Sequence, residues 1–308
     1  MSHRIAILDL GTNTFNLLMA EKGEDGNPFF IYSKELPVEI GKGGIHKSII
    51  TAEATQRAIN ALHQHNKTIA EYGIKDHYAF ATSAVRGAEN KKEFTDRIRI
   101  ETGVDINILS GEEEAKWIYE GVKHTSTLGK HVSVIMDIGG GSTEFIIANA
   151  NGIFWKKSYP LGVTRLYEIF HPADPLRTKV EEVQNHITTM LEDLFIAATQ
   201  YKPLELIGSS GSFESFAQII LRRTGGKPNP ANGYDFPLLE FEKLYTDLMR
   251  STFEERLALP GLIQMRAPMF AYSGILTKIV LDKLSIKRMK LSHYALKEGI
   301  AGYLLNKL

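Results

Sequence analysis

The feature that most restricts how this chain can fold is a pattern that occurs twice. Ile5 to Leu8 is a short apolar run ending in Asp9-Leu10-Gly11, followed by the run Thr14 to Ala20, the turn Asp25-Gly26-Asn27-Pro28 and the run Phe29 to Tyr32. The pattern begins again at Val132 to Ile135, with Asp137-Ile138-Gly139, the small polar residues Ser142 and Thr143, the run Phe145 to Ala148, the turn Asn151-Gly152 and the run Ile153 to Lys156. Short apolar runs stopped by Gly, Asp and Asn predict strands joined as an antiparallel meander. A repeat at about half the chain length predicts two related domains, with the functional cleft between them. The spacing puts the boundary near Tyr119 to Lys123, giving domains 1–121 and 122–308. The last helix, 295–308, is expected to pack back on the first domain.

Between the repeats the periodicity changes. Ala54, Ala58, Leu62 and Ile69 recur at helical spacing, with Thr51 placed to cap and Gly73 to stop. Strand-like Tyr78 to Ala81, a helix from Lys91 to Glu101 capped by Asn90, and strand-like Ile106 to Leu109 follow. This alternation predicts an α/β fold with partly parallel pairing. The second half adds a long helix over Thr178 to Ala198, a strand at Leu204 to Ile207 and a helix opened by Gly208-Ser209-Ser210-Gly211-Ser212. The loop Gly225 to Pro230, mainly helical segments, a β-like Met289 to Ser292 and a last helix from Ala295 complete the chain.

Composition excludes several functions. With 308 residues and 43% apolar content, the chain can build a core in each half. It has no cysteine, so disulfide scaffolds, thiolate metal sites and cysteine nucleophiles are excluded. The 36 Lys and Arg balance 36 Asp and Glu, which argues against nucleic acid as the main partner while leaving room for a local basic cleft. No run approaches the ~18 apolar residues of a membrane span, and Met1-Ser2-His3-Arg4 leads straight into a strand without signal-peptide architecture. The expectation is a cytoplasmic protein with no membrane partner.

The chemistry concentrates at the loops. In each Asp-x-Gly loop successive backbone N–H groups can converge to form an anion nest. Gly139-Gly140-Gly141 allows close approach of a phosphate, and Ser142 and Thr143 can add hydroxyl donors. Asp9 and Asp137, each ending a buried strand, are placed to hold a metal or its bound water. Either loop alone is equally readable as a plain glycine-rich turn. Two of them, together with Gly208 to Ser212, favour phosphate.

In Ser110-Gly111-Glu112-Glu113-Glu114, Ser110 and Glu113 fit a capping box. Glu112 is explained by the helix dipole. Glu114 is left over as a carboxylate that could accept a proton from water, although three acids decorating a helix start is the open alternative. Arg86, in Thr82-Ser83-Ala84-Val85-Arg86 after a strand, can fork onto phosphate oxygens or be an ordinary exposed arginine. His63 and His65 read as surface residues, Trp117 and Tyr119 as packing residues, and Lys287-Arg288-Lys290 as a solvated strand edge. His124 and His171 are weak candidates.

These motifs, Ile7-Leu8-Asp9-Leu10-Gly11-Thr12-Asn13-Thr14-Phe15, Thr82 to Arg86, Ser110 to Ala115 and Asp137 to Glu144, resemble in order and spacing the successive signatures of the exopolyphosphatase and guanosine pentaphosphate phosphohydrolase family. The resemblance implies two ribonuclease H-like domains of the actin, sugar kinase and heat-shock ATPase superfamily. It implies Mg²⁺-dependent hydrolysis of terminal phosphate from inorganic polyphosphate, or of the 5′ γ-phosphate of guanosine pentaphosphate, and a homodimer. In that family the glutamate before the alanine of the Ser-Gly-x-Glu-Glu-Ala motif is the proposed base, which here is Glu114. Asp137 and Glu144 carry over to metal and water positioning. Arg86 and the two loops, including Thr12, Asn13 and Thr14, carry over to phosphate binding. Pro268 stands where the family often has an acid, and the chain resembles the short form without extra C-terminal helical domains. Two other functions remain open: an ATP-using kinase of the same superfamily, and a non-catalytic sensor of guanosine tetra- or pentaphosphate.

Overall fold

A computed structural model of the chain describes residues 3–24, 26–125, 127–170, 179–226 and 233–307. It begins with the expected meander: β1 (Arg4–Leu10), β2 (Thr14–Lys22) and β3 (Pro28–Pro37) pair antiparallel, β1 with β2 and β2 with β3. Helix α1 (Ala52–Glu71) follows, its first turn closed by Thr51 Oγ1, which accepts the Ala54 N–H at 3.2 Å. β4 (Asp76–Ala81) returns parallel to β1. The short α2 (Ser83–Arg86), α3 (Lys91–Thr102), β5 (Ile106–Ile108) parallel to β4, and α4 (Gly111–Lys123) complete this part. The sheet order is β3-β2-β1-β4-β5.

The second pass repeats the first. β6 (Ser133–Ile138), β7 (Thr143–Asn149) and β8 (Gly152–Tyr159) form the meander, followed by α5 (Val163–Phe170), α6 (Val180–Met190), α7 (Glu192–Tyr201) and β9 (Glu205–Ser209) parallel to β6. Then come α8 (Ser210–Thr224), β10 (Tyr234–Phe236), α9 (Leu238–Arg250), α10 (Phe253–Leu257), α11 (Phe270–Lys283), β11 (Met289–Leu291) and α12 (Leu296–Lys307). The order is β10-β11-β9-β6-β7-β8, so five of its strands reproduce the arrangement of the first sheet. This shared order, three antiparallel strands beside two parallel ones, is the ribonuclease H-like arrangement.

The chain divides into two compact units, Met1–Gly121 with Ala295–Leu308, and Val122–Tyr294. Each has its own core. In the first, Ala6, Leu8, Phe15, Leu17 and Met19 of the sheet pack with Ala58, Leu62, Phe94 and Ile98 of the helices, and α12 lies on β1 and β2. In the second, every residue of β6 and β7 is buried, as in strands covered on both faces. Burying a Leu, Ile or Phe side chain contributes about 1.5–3 kcal/mol, so each core stabilises its own unit.

Several sequence expectations are corrected. His65 is fully buried on α1, its Nε2 3.2 Å from the Phe15 carbonyl oxygen, because α1 turns that face onto β2. Asn90 caps nothing with its side chain; its amide exchanges two hydrogen bonds with the backbone of Ile50. The helix expected over Thr178 to Ala198 is broken at Leu191 into α6 and α7. Lys290 is on no solvated edge: β11 lies between β10 and β9, and its ammonium meets the buried Glu205 at 3.1 Å. His171 and residues 227–230 of the expected loop lie outside the described residues. Among the described residues, no helix is long and apolar enough to cross a membrane.

Candidate active site

The two Asp-x-Gly loops close in the same way. Gly11 N–H donates to Thr14 O at 3.0 Å, and Gly139 N–H donates to Ser142 O at 3.0 Å. What turns their peptides is the segment after the third strand of each unit. In the first, Gly41 N–H reaches Thr12 O at 3.2 Å, while Val38 and Glu39 N–H reach Asn13 O at 2.9 and 2.8 Å. In the second, the orphan N–H groups at the start of α5 do this work: Val163 binds Gly139 O at 3.0 Å, and Thr164 and Arg165 bind Gly140 O at 2.9 and 3.2 Å. A planar trans peptide points its N–H opposite its C=O. Anchored carbonyls therefore aim the amides of Asn13, Thr14, Gly140 and Gly141 away from their anchors, which is how a nest for an anion is built. Neither anchor tolerates a side chain at its glycine. A Cβ on Gly41 would come within 2.5 Å of Thr12, and one on Gly162 within 2.3 Å of the Gly140 backbone.

Strand register assembles the acids of the second unit. Ser158, Glu144, Asp137 and Ser209 are successive partners across β8, β7, β6 and β9, and directly opposed residues share a face. Asp137 accepts from Ser209 Oγ at 2.7 Å and from Ser210 Oγ at 2.6 Å. Glu144 Oε1 accepts from Ser142 Oγ at 2.6 Å and Ser158 Oγ at 2.7 Å. Both carboxylates are buried, at 6% and 1% exposure. Ser210 holds its bond from a left-handed backbone, φ +68°, a strained conformation for a serine that is typical of functional loops.

The hydroxyls expected to meet phosphate are thus engaged with protein. Ser142, Ser209 and Ser210 serve the two acids, and Thr143, fully buried, donates to Leu161 O at 3.0 Å. Thr12 is also buried, packed on Gly41. The backbone is left as the principal anion donor of the loops.

In the first unit, Glu114 and Arg86 come together. Arg86 donates to Glu114 Oε2 at 2.6 Å and to Leu109 O at 3.0 Å. The Glu114 side chain is only 9% exposed, a position reached because it is the first residue of α4 to turn inward. Glu113 is exposed and closes the capping box, accepting from Ser110 N–H at 2.9 Å while its own N–H donates to Ser110 Oγ at 3.2 Å. Asp9 accepts from Asn16 Nδ2 at 3.3 Å, where the second unit has the Asp137 and Glu144 pair.

Sequence reasoning passed over Gly41, Gly162, Arg165 and Arg266. The glycines carried a signal, since Pro37 and Pro160 each lead from a third strand to a glycine within a few residues. Arg266 carried none: it reaches Gly211 O at 2.6 Å and Ser215 Oγ at 3.0 Å from a distant segment. It also lines a cavity of about 260 Å³ on α8 with Ser215, Gln218, Tyr234 and His293. Among the described residues, no three His, Asp or Glu gather as a metal site on their own.

The model of the Ppx/GppA phosphatase family matches residues 21–308. Exopolyphosphatase 1 of Mycobacterium leprae is 28% identical, over 96% of this chain and 88% of its own length. Guanosine-5'-triphosphate,3'-diphosphate pyrophosphatase of Pseudoalteromonas translucida is 30% identical, over 98% of this chain and 59% of that longer protein. The crystal structure of an exopolyphosphatase from Cytophaga hutchinsonii is 36% identical, covers 99% of both chains and superposes with a TM-score of 0.95. The match along almost the whole sequence, on a fold whose two units carry the same loop, makes this chain a member of the Ppx/GppA phosphatase family.

Proposed function

We propose that the protein is a phosphoanhydride hydrolase that releases terminal phosphate from inorganic polyphosphate or from the 5′ position of guanosine pentaphosphate. The observation that carries this reading is Glu114, a buried carboxylate held by Arg86 at the start of α4 in the unit that bears the Thr12 to Thr14 loop. A carboxylate fixed in this way can orient and deprotonate water. Phosphoryl transfer depends mostly on positioning and on charge stabilisation, which the loop amides and Arg86 supply.

The residues of the second unit fit Mg²⁺. Asp137 with the hydroxyls of Ser209 and Ser210, and Glu144 beside it in register, make an all-oxygen donor set of the kind a hard cation takes. Asp137 would hold the ion and Glu144 its water. When bound, the ion offsets charge on the phosphoryl oxygens. Asp9 marks the equivalent position of the first unit.

A nucleotide substrate is suggested by the cavity beside α8, where Tyr234 and Gln218 are side chains that a base or ribose could meet. The same feature keeps an ATP-using reading open. Phosphate release with Mg²⁺ from polyphosphate, guanosine pentaphosphate and ATP, measured in parallel, decides. Release from either of the first two is expected; activity on ATP alone would overturn the proposal, and tight guanosine pentaphosphate binding without release would mark a sensor.

A further inference from the structure

The two loops differ in how their third carbonyl is held. In the first unit Asn13 O is fixed by two backbone amides, those of Val38 and Glu39. At the equivalent place in the second unit, Gly141 O accepts from a side chain, Arg165 Nε, at 3.1 Å. Arg165 sits in the first turn of α5, its backbone N–H already bonded to Gly140 O and its side chain half-buried. One residue thus fixes two successive peptides of the loop.

We propose that Arg165 is a positioning residue for phosphate binding: its Nε–H orients the Gly141–Ser142 peptide so that the Ser142 amide joins those of Gly140 and Gly141 in one anion nest. The inference rests on the phosphate reading of this loop. The planarity of the peptide carries the argument, because a carbonyl drawn toward α5 sends the following N–H the other way. Without Arg165 that carbonyl loses the hydrogen bond that matches the two amides of the first unit. The role belongs to the donor atom at this place on the side chain, and the positive charge is secondary.

Side-chain chemistry separates the two. Gln carries Nε2 at the same number of bonds from the backbone as Arg Nε, so Arg165→Gln keeps the donor and loses the charge. Arg165→Lys keeps the charge, but its donor stands one atom further out and none is at the ε position. Arg165→Met removes both. Binding of inorganic phosphate to each full-length variant is measured by titration calorimetry, with kcat and KM for phosphate release alongside. Arg165→Met is expected to lose roughly tenfold in phosphate affinity, the scale of one well-placed hydrogen bond. Arg165→Gln should regain most of it, with Arg165→Lys remaining close to Met, and kcat/KM should follow the same order. If Lys restores binding and Gln does not, charge is the role and the proposal falls. Met binding like wild type, or a wild type that binds no phosphate, also overturns it. Should Met fail to fold, the comparison of Gln with Lys still decides. A wild type that binds phosphate with this ranking, yet releases none from polyphosphate or guanosine pentaphosphate, refutes the hydrolase and leaves Arg165 in its role.

Discussion

Glu113 and Glu114 are chemically identical neighbours with opposite surroundings, and the helix alone makes the difference. One completes a capping box in solvent; the other turns inward onto Arg86. Glu114→Gln keeps the shape and removes the base, so turnover should fall by about 10²–10⁴-fold with far less change in substrate affinity. Glu113→Gln keeps an oxygen that accepts from the Ser110 N–H, so it should change stability by less than about 1 kcal/mol and cost little activity. Equal losses of kcat in two folded variants would dismiss the distinction. Truncating Arg86 is a poorer test, because stripping a buried carboxylate of its partner costs about 3–5 kcal/mol whatever its role. Asp137→Ala should weaken both turnover and the response to Mg²⁺. An unchanged Mg²⁺ titration would remove Asp137 from the ion's ligands.

At the level of elements, the anion nest is made by what lies behind it. The start of α5 and the segment after β3 hold loop carbonyls, and Gly162 and Gly41 let them come close enough to do so. Gly162→Ala should therefore displace the Gly139 to Ser142 loop and depress phosphate affinity, whereas Gly152→Ala, where a Cβ meets nothing, should leave both binding and melting temperature near wild type. Comparable phosphate titrations for the two would show that the loop shapes itself without α5. The break at Leu191 and the side-chain role of Asn90 belong to this scale too. Asn90 follows from a contact with Ile50, forty residues away, that local propensity does not contain.

For the molecule as a whole, stability should decline on the acid side in two stages. Burial holds the pKa of His65 below its usual 6.5, against the opposing effect of its contact with the Phe15 carbonyl. The unfolded chain then takes up the proton first, so stability is complete above about pH 6.5 and drops as pH falls from there toward the lowered value. For Glu205, burial alone would raise the pKa, but hydrogen bonds from His131 and Lys290 outweigh it and the net shift is downward from 4.5. That contribution is present above pH 4.5 and is lost as pH falls through the lowered folded value. Melting temperatures across this range should show both stages, and His65→Gln should flatten only the upper one. A variant curve parallel to wild type between pH 7 and 5 would assign the upper stage elsewhere.

Local sequence determined a good deal of this protein, for reasons that are themselves local. The meander, the capping box and the repeated Asp-x-Gly loop depend on neighbours a few residues apart, so apolar alternation, turn residues and cap chemistry were enough to read them. The pairing of Arg86 with Glu114, the transverse row Ser158, Glu144, Asp137 and Ser209, and the reach of Arg165 and Arg266 onto loop carbonyls join residues separated by up to tens of positions. Strand register and helix docking decided those contacts, and register depends on the packing of a whole sheet. The same cause explains His65: its position on a helix was legible, but which face of that helix would meet β2 was a property of the assembled core.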